Sequence, residues 1–127
     1  MTGKWQSYVH HRMVSPRARR RLLSEIVDFA KQQAAEVVWC MLQGQTIIQL
    51  ALPVASQLNA DLYTQVFDCP EWNLNATKTD GATSRRFMSD YRNAIRSSRR
   101  CATISWQMAK DYREAFGTET VPILPAF

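Results

Sequence analysis

The sequence is short of the residues that staple or coordinate. Its three cysteines, Cys40, Cys69 and Cys101, are odd in number and far apart, and no Cys-x-x-Cys pair occurs. That spacing argues against a disulfide framework and against a zinc site, so a reducing, intracellular setting, cytoplasmic by expectation, is the economical reading. The only histidines are the adjacent His10 and His11; no metal and no cofactor are expected. Glycine and proline are scarce too, at four and five residues, against an apolar content of 46%. This balance excludes a disordered tail.

Long apolar runs are also missing. The richest stretch, 47–58, is interrupted by Gln49, Pro53, Ser56 and Gln57, well short of the roughly 18 apolar residues a membrane span needs. Arg12, Arg17, Arg19, Arg20 and Arg21 lead into Glu25 and Asp28 rather than into an apolar segment, which excludes a signal-peptide pattern. The dinucleotide fingerprint, the Walker phosphate loop and the Gly-x-Ser-x-Gly elbow are all absent.

What remains is a 127-residue chain of net charge +5, long enough for one domain with its own core. Arginines cluster at 17–21, 85–86 and 92–100, which favours anionic partners. Neither zinc-finger spacing nor an RNP-like aromatic strand accompanies them, so nucleic acid ranks low.

Residues 1–14 carry Trp5 and Tyr8 without a period and read as an arm; residues 15–127 read as a single Rossmann-like α/β domain. Ser15 and Pro16 mark a helix start, and Leu22, Leu23, Ile26, Phe29 and Ala30 form one stripe on a helix over 17–34. The apolar run 36–42 reads as a buried parallel strand. A turn at 43–46 precedes a helix over 46–58, with Pro53 inside it. Residues 61–67 form a second strand. A polar loop follows over 71–83, with at most one helical turn near Trp72. A helix over 83–98, a strand over 101–104, a helix over 106–116 capped by Ser105 and stopped by Gly117, and a strand over 120–124 complete the pattern. Alternating helices and strands predict an open, mainly parallel sheet flanked by helices on both faces.

Ligands of such sheets bind beyond the C-terminal strand ends. Three exits qualify. Gln43, Gly44, Gln45 and Thr46 can offer backbone donors to an oxygen-rich or anionic ligand, or simply form a turn. Asp68 and Glu71, three apart, can orient sugar hydroxyls or take a proton, with Trp72 as a stacking face; a solvated strand exit is the plainer reading. Ser105 is foremost a helix cap. Cys69 lacks an assignable base, and Cys40 and Cys101 sit in apolar strands as core residues.

Two segments, Gln43-Gly44-Gln45-Thr46 and Gln65-Val66-Phe67-Asp68-Cys69-Pro70-Glu71-Trp72, resemble successive strand exits in the N-terminal domain of GT-B glycosyltransferases. Ser105-Trp106-Gln107-Met108-Ala109-Lys110-Asp111-Tyr112-Arg113-Glu114-Ala115-Phe116-Gly117 resembles that family's Ser-x-x-Met-x-x-x-Tyr-x-x-x-Phe-Gly helix. Val121-Pro122-Ile123-Leu124-Pro125 is similar to the strand leading toward its interdomain linker. The resemblance spans residues 20–127 in order. It implies a partial Rossmann-like domain, the latter part of the acceptor-holding half. The glycine-rich opening strand and the C-terminal domain that binds the nucleotide-sugar donor are expected to be missing from this chain.

On that basis Asp68, then Glu71, are the expected acceptor-side catalytic groups. Residues 43–46, Trp72 and Ser105 line the site, and Arg85 and Arg86 meet an anionic acceptor or donor phosphate. The isolated chain is expected to be inactive. A basic nucleic-acid-binding or assembly module is the alternative. An incomplete sheet would leave Val37–Met41 at an edge, open to pairing with a second copy.

Overall fold

The computed structural model describes residues 15–76 and 79–123, apart from the side chains of Ser15, Trp72 and Asn73. The expected arm at 1–14 and the residues after 123 lie outside this range.

Helix α1 spans Ser15–Gln32, with Pro16 in its first turn, where a missing N–H costs nothing. It ends in a left-handed residue, Ala34 at φ 51°, as the Ala35 N–H reaches back to the Ala30 carbonyl at 3.0 Å. Strand β1, Val37–Met41, follows. Helix α2, Gln45–Leu58, runs through Pro53 and closes on Asn59 at φ 51°, a conformation asparagine tolerates. Strand β2 is Asp61–Gln65.

Where the composition of 71–83 suggests a loop, the structure forms helix α3, Pro70–Ala76. Pro70 suits a first helical position, and Glu71 faces the positive end of the helix. Helix α4, Gly81–Ser97, begins two residues earlier than its apolar stripe implies. The Asp80 carboxylate accepts the N–H groups of Ala82 and Thr83 and so starts the helix. Strand β3, Arg100–Thr103, helix α5, Trp106–Phe116, and strand β4, Thr120–Pro122, complete the order.

The four strands pair in sequence order, β1-β2-β3-β4, all parallel. Each crossover steps the same way along the sheet, and right-handed crossovers then stack on one face. Burial follows. Cys40, Leu62, Val66 and Cys101 point into a core with Ile48, Phe87, Tyr91 and Ile95. Thr64, Thr103 and Thr120 point the same way and are hydrogen-bonded, Thr64 to the Ser98 hydroxyl at 3.0 Å and Thr120 to the Ala109 carbonyl at 2.6 Å. Helix α1 packs on α2.

Two expectations are corrected here. The sheet is flanked by helices, but among the described residues they cover one face only. And β1 is not a strand buried on both sides, with Val37, Trp39 and Met41 exposed while Cys40 is buried; its place at the sheet edge is the one expected of an incomplete sheet. A fully apolar run cannot by itself distinguish a central strand from an edge whose outer side is bare.

Candidate functional site

Parallel strands leave the sheet at one end, so the three exits sit side by side. Hydrogen bonds fix them there. The Leu42 N–H donates to the Gln65 carbonyl at 2.8 Å, the Val66 N–H to Ala102 at 2.9 Å, and the Ile123 N–H to Thr103 at 2.7 Å.

At the β1 exit, the Gln43 N–H turns back to the Met41 carbonyl at 2.8 Å. Gly44 then takes φ 77° and ψ 148° immediately before α2, and no side chain caps that helix. The conformation is almost confined to glycine. A Cβ at Gly44 would meet nothing within 4 Å, so the backbone angle and not crowding demands glycine. Gln43, Gly44 and Thr46 are exposed, and Gln45 is half-buried. The uncapped start of α2 thus presents unsatisfied N–H donors toward solvent at the strand ends.

At the β2 exit, Asp68 is exposed and makes no ion pair with another described residue. Glu71 is not free. The Cys69 thiol donates to its Oε2 at 2.6 Å, and this bond, then burial, raises the thiol pKa. Cys69 is therefore held as a thiol, not poised as a thiolate nucleophile. The pairing went unseen in sequence because it forms where the chain turns into α3 at Pro70, a helix the composition of this stretch concealed.

At the β3 exit, the Ser105 hydroxyl accepts the Met108 N–H at 3.1 Å, which commits it to capping α5. Next to it Trp106 is 69% exposed. This is the aromatic surface that the described residues offer at the strand ends, and sequence reasoning passed over it in favour of Trp72, whose side chain lies outside the described residues. A large apolar residue directly after a cap, off the stripe of its helix, was the available signal.

Arg85 and Arg86 are exposed on α4. No hydrogen bond or ion pair ties either to the exits among the described residues. The charge of Arg86 instead acts on Arg19 of α1, whose pKa is lowered by burial first and by Arg86 next, against the pull of Asp90. Arg19 also donates to Gln49. A cavity of about 320 Å³ opens nearby between α2 and α4, lined by Gln49, Leu52, Pro53, Ser56 and Asp90. It lies in the helical layer and not among the three exits.

Behind the exits, the hydroxyls of Tyr91 and Tyr112 meet at 2.7 Å. Burial is the main cause that raises both phenol pKa values, so both stay protonated. Among the described residues no three His, Cys, Asp or Glu side chains gather as metal ligands would, and no helix is long and apolar enough to cross a membrane.

Fold and site together define a class: a four-stranded, all-parallel Rossmann-like α/β unit whose polar strand exits share one end. No family model, curated protein or solved structure matches the chain.

Proposed function

We propose that this chain is the acceptor-side domain of a GT-B-type glycosyltransferase, working in a cytoplasmic setting with a nucleotide-sugar donor held by a companion domain. One observation carries the reading. Gly44 with its uncapped helix, Asp68 beside Glu71, and Ser105 with Trp106 follow three neighbouring parallel strands at one end of the sheet.

In that arrangement Asp68 is the group free to accept a hydrogen bond or a proton from a sugar hydroxyl. Glu71, already holding the Cys69 thiol, positions the exit. The α2 donors suit hydroxyl or anionic oxygens, Trp106 supplies a face for a sugar ring, and Ser105 keeps α5 in place. Arg85 and Arg86 serve an anionic acceptor or donor phosphate only if they swing toward the exits.

The chain alone is expected to turn over no donor. Transfer needs the acceptor hydroxyl and the leaving phosphate in one cleft, and a displacement of about 1 Å can cost about 100-fold. Removing the whole donor wall costs more, because charge stabilisation is commonly the largest catalytic term.

The test is an NMR titration of the isotope-labelled chain with methyl glucoside, methyl mannoside and glucose 1-phosphate. Expected are amide shifts confined to 43–46, 68–71 and 105–107, and weakened by Asp68→Asn. Absent or scattered shifts would overturn the reading. Robust turnover of UDP-glucose or GDP-mannose by the chain alone would overturn the half-site reading.

A further inference from the structure

The most unusual surface of this molecule is the sheet face opposite its helices. Val37, Trp39 and Met41 on β1 are 52%, 60% and 51% exposed, and Val121 and Ile123 at the far edge are 40% and 43% exposed. Side chains alternate along strands, so these five share one face with Asp61, Tyr63, Gln65, Arg100 and Ala102, which the strand register sets between them. The Trp39 indole donates to Gln65 Oε1 at 3.1 Å, which ties the ring to the second strand.

We infer that this face is a docking surface for a second copy of the same chain, the two sheets packing face to face. Area is the first argument. The five apolar residues expose on the order of 500 Å² per copy, the size of the largest patch on a typical monomer. Two such faces together reach about 1,000 Å², the threshold of a specific interface. Stacked sheets lie about 10 Å apart, which lets side chains of this size interdigitate.

Charge is the second argument. The chain carries +5, yet the sheet contributes none of it. On this face Arg100, opposite Tyr63, pairs with Glu119 at 3.1 Å, and Asp61, opposite Val37, pairs with Arg99 at 2.6 Å, so each cation is matched by a carboxylate. The remaining described arginines, at 17, 19, 20, 21, 85, 86, 92, 96 and 113, sit on helices. The open face is thus the side whose charges balance within each copy, so two identical cations meet there with the least like-charge repulsion. A two-fold arrangement satisfies both copies with one patch.

The edge of β1 offers a competing route, strand to strand, and the test separates the two. Sedimentation equilibrium of the full chain from low to high micromolar concentration is expected to show the mass rising from 14.6 kDa toward twice that. Trp39→Lys and Val121→Lys should each weaken the dimer by at least tenfold and leave the circular dichroism unchanged, since both side chains are exposed. Phe29→Lys, on the exposed side of α1, should change nothing. A monomer at every concentration overturns the inference. So does a dimer lost with Trp39→Lys but kept with Val121→Lys, because Val121 lies three strands from the β1 edge and only face-to-face packing senses both. A dimer insensitive to both lysines, or broken by Phe29→Lys, places the contact elsewhere and overturns it too.

Discussion

The two faces of the sheet are made of the same kind of strand and have opposite fates. Toward the helices, Val66, Cys101, Ala94 and Ile95 are fully excluded from water and Phe87 and Tyr91 nearly so. On the other side Trp39, Val37 and Met41 stand in solvent. Apolar content does not separate them, since both faces carry apolar side chains. Strand order does: a sheet that grows in one direction puts every crossover on one side. Burial is therefore a property of topology here, and stability should be drawn almost wholly from the covered face.

The sharpest way to break that contrast is a matched pair of truncations. Phe87→Ala empties a packed site beside Tyr91, with which its ring stacks at 6.4 Å, and should cost about 3–5 kcal/mol in urea unfolding. Trp39→Ala, larger in atoms removed, should stay within about 0.5 kcal/mol at concentrations low enough for monomer. Equal costs would mean that the open face is covered.

At the strand ends, Gly44→Ala tests whether the β1 exit is strained by design. The positive φ is the whole obstacle, as no atom crowds the site. A loss of about 1–3 kcal/mol is expected. Gly117→Ala, at φ 69° in the left-handed region, should cost less because alanine reaches that region more readily.

The cap of α4 comes next. Burial would raise the Asp80 pKa, but hydrogen bonds from Thr83 and Ala82 outweigh it and hold the carboxyl below its ordinary value. Its second oxygen, Oδ2, is out of solvent with no partner. Asp80→Ala should cost about 1 kcal/mol. The sign with pH follows from the depressed folded value. The contribution is whole above about pH 4, where the unfolded carboxyl is ionised, and fades as pH falls through the folded pKa. Urea midpoints of wild type and Asp80→Asn should therefore converge below pH 4 and run parallel between pH 5 and 8.

Much of this molecule was legible in its sequence, for local reasons. Ser105 and Gly117 delimit α5 as their chemistry requires, and Pro53 sits inside α2 where the sequence pattern puts it. The alternation of elements carries the parallel sheet. Two things were hidden. The run Val37–Met41 could be placed at an edge from an incomplete sheet, but it has no polar position to reveal which side is bare, and that depended on every crossover falling on one side, a non-local fact. Helix α3 hid behind asparagines and threonines that favour turns, and with it the Cys69–Glu71 bond. At the site, Gly44 and Asp68 could be placed from strand exits alone. The effect of Arg86 on Arg19 could not, since α1 had to be docked first.

That hidden bond makes its own prediction. Cys69 is exposed, while Cys40 and Cys101 are buried, and burial pushes the Cys40 thiol up to about 11. Iodoacetamide should therefore label Cys69 first, yet more slowly at pH 8 than an unhindered thiol, because Glu71 keeps it protonated. Glu71→Gln should speed labelling severalfold. Unchanged labelling would show that the bond does not persist in solution.

The smallest effect belongs to the ion pairs where β2 and β3 begin on the open face. Arg99–Asp61 and Arg100–Glu119 are short, at 2.6 and 3.1 Å, but their side chains are between 44% and 65% exposed. Water and salt screen charges in such positions, and ordering two long side chains offsets much of the attraction. The Asp61 carboxylate raises the Arg99 pKa, but a guanidinium titrates far above any working pH, so this shift gives no pH dependence between pH 5 and 9. Asp61→Asn and Glu119→Gln should thus leave the thermal midpoint within experimental error, in low salt and in high salt. A loss as large as that of Asp80→Ala would break the contrast between the faces, because the uncovered side would then hold the fold as firmly as the cap that starts α4.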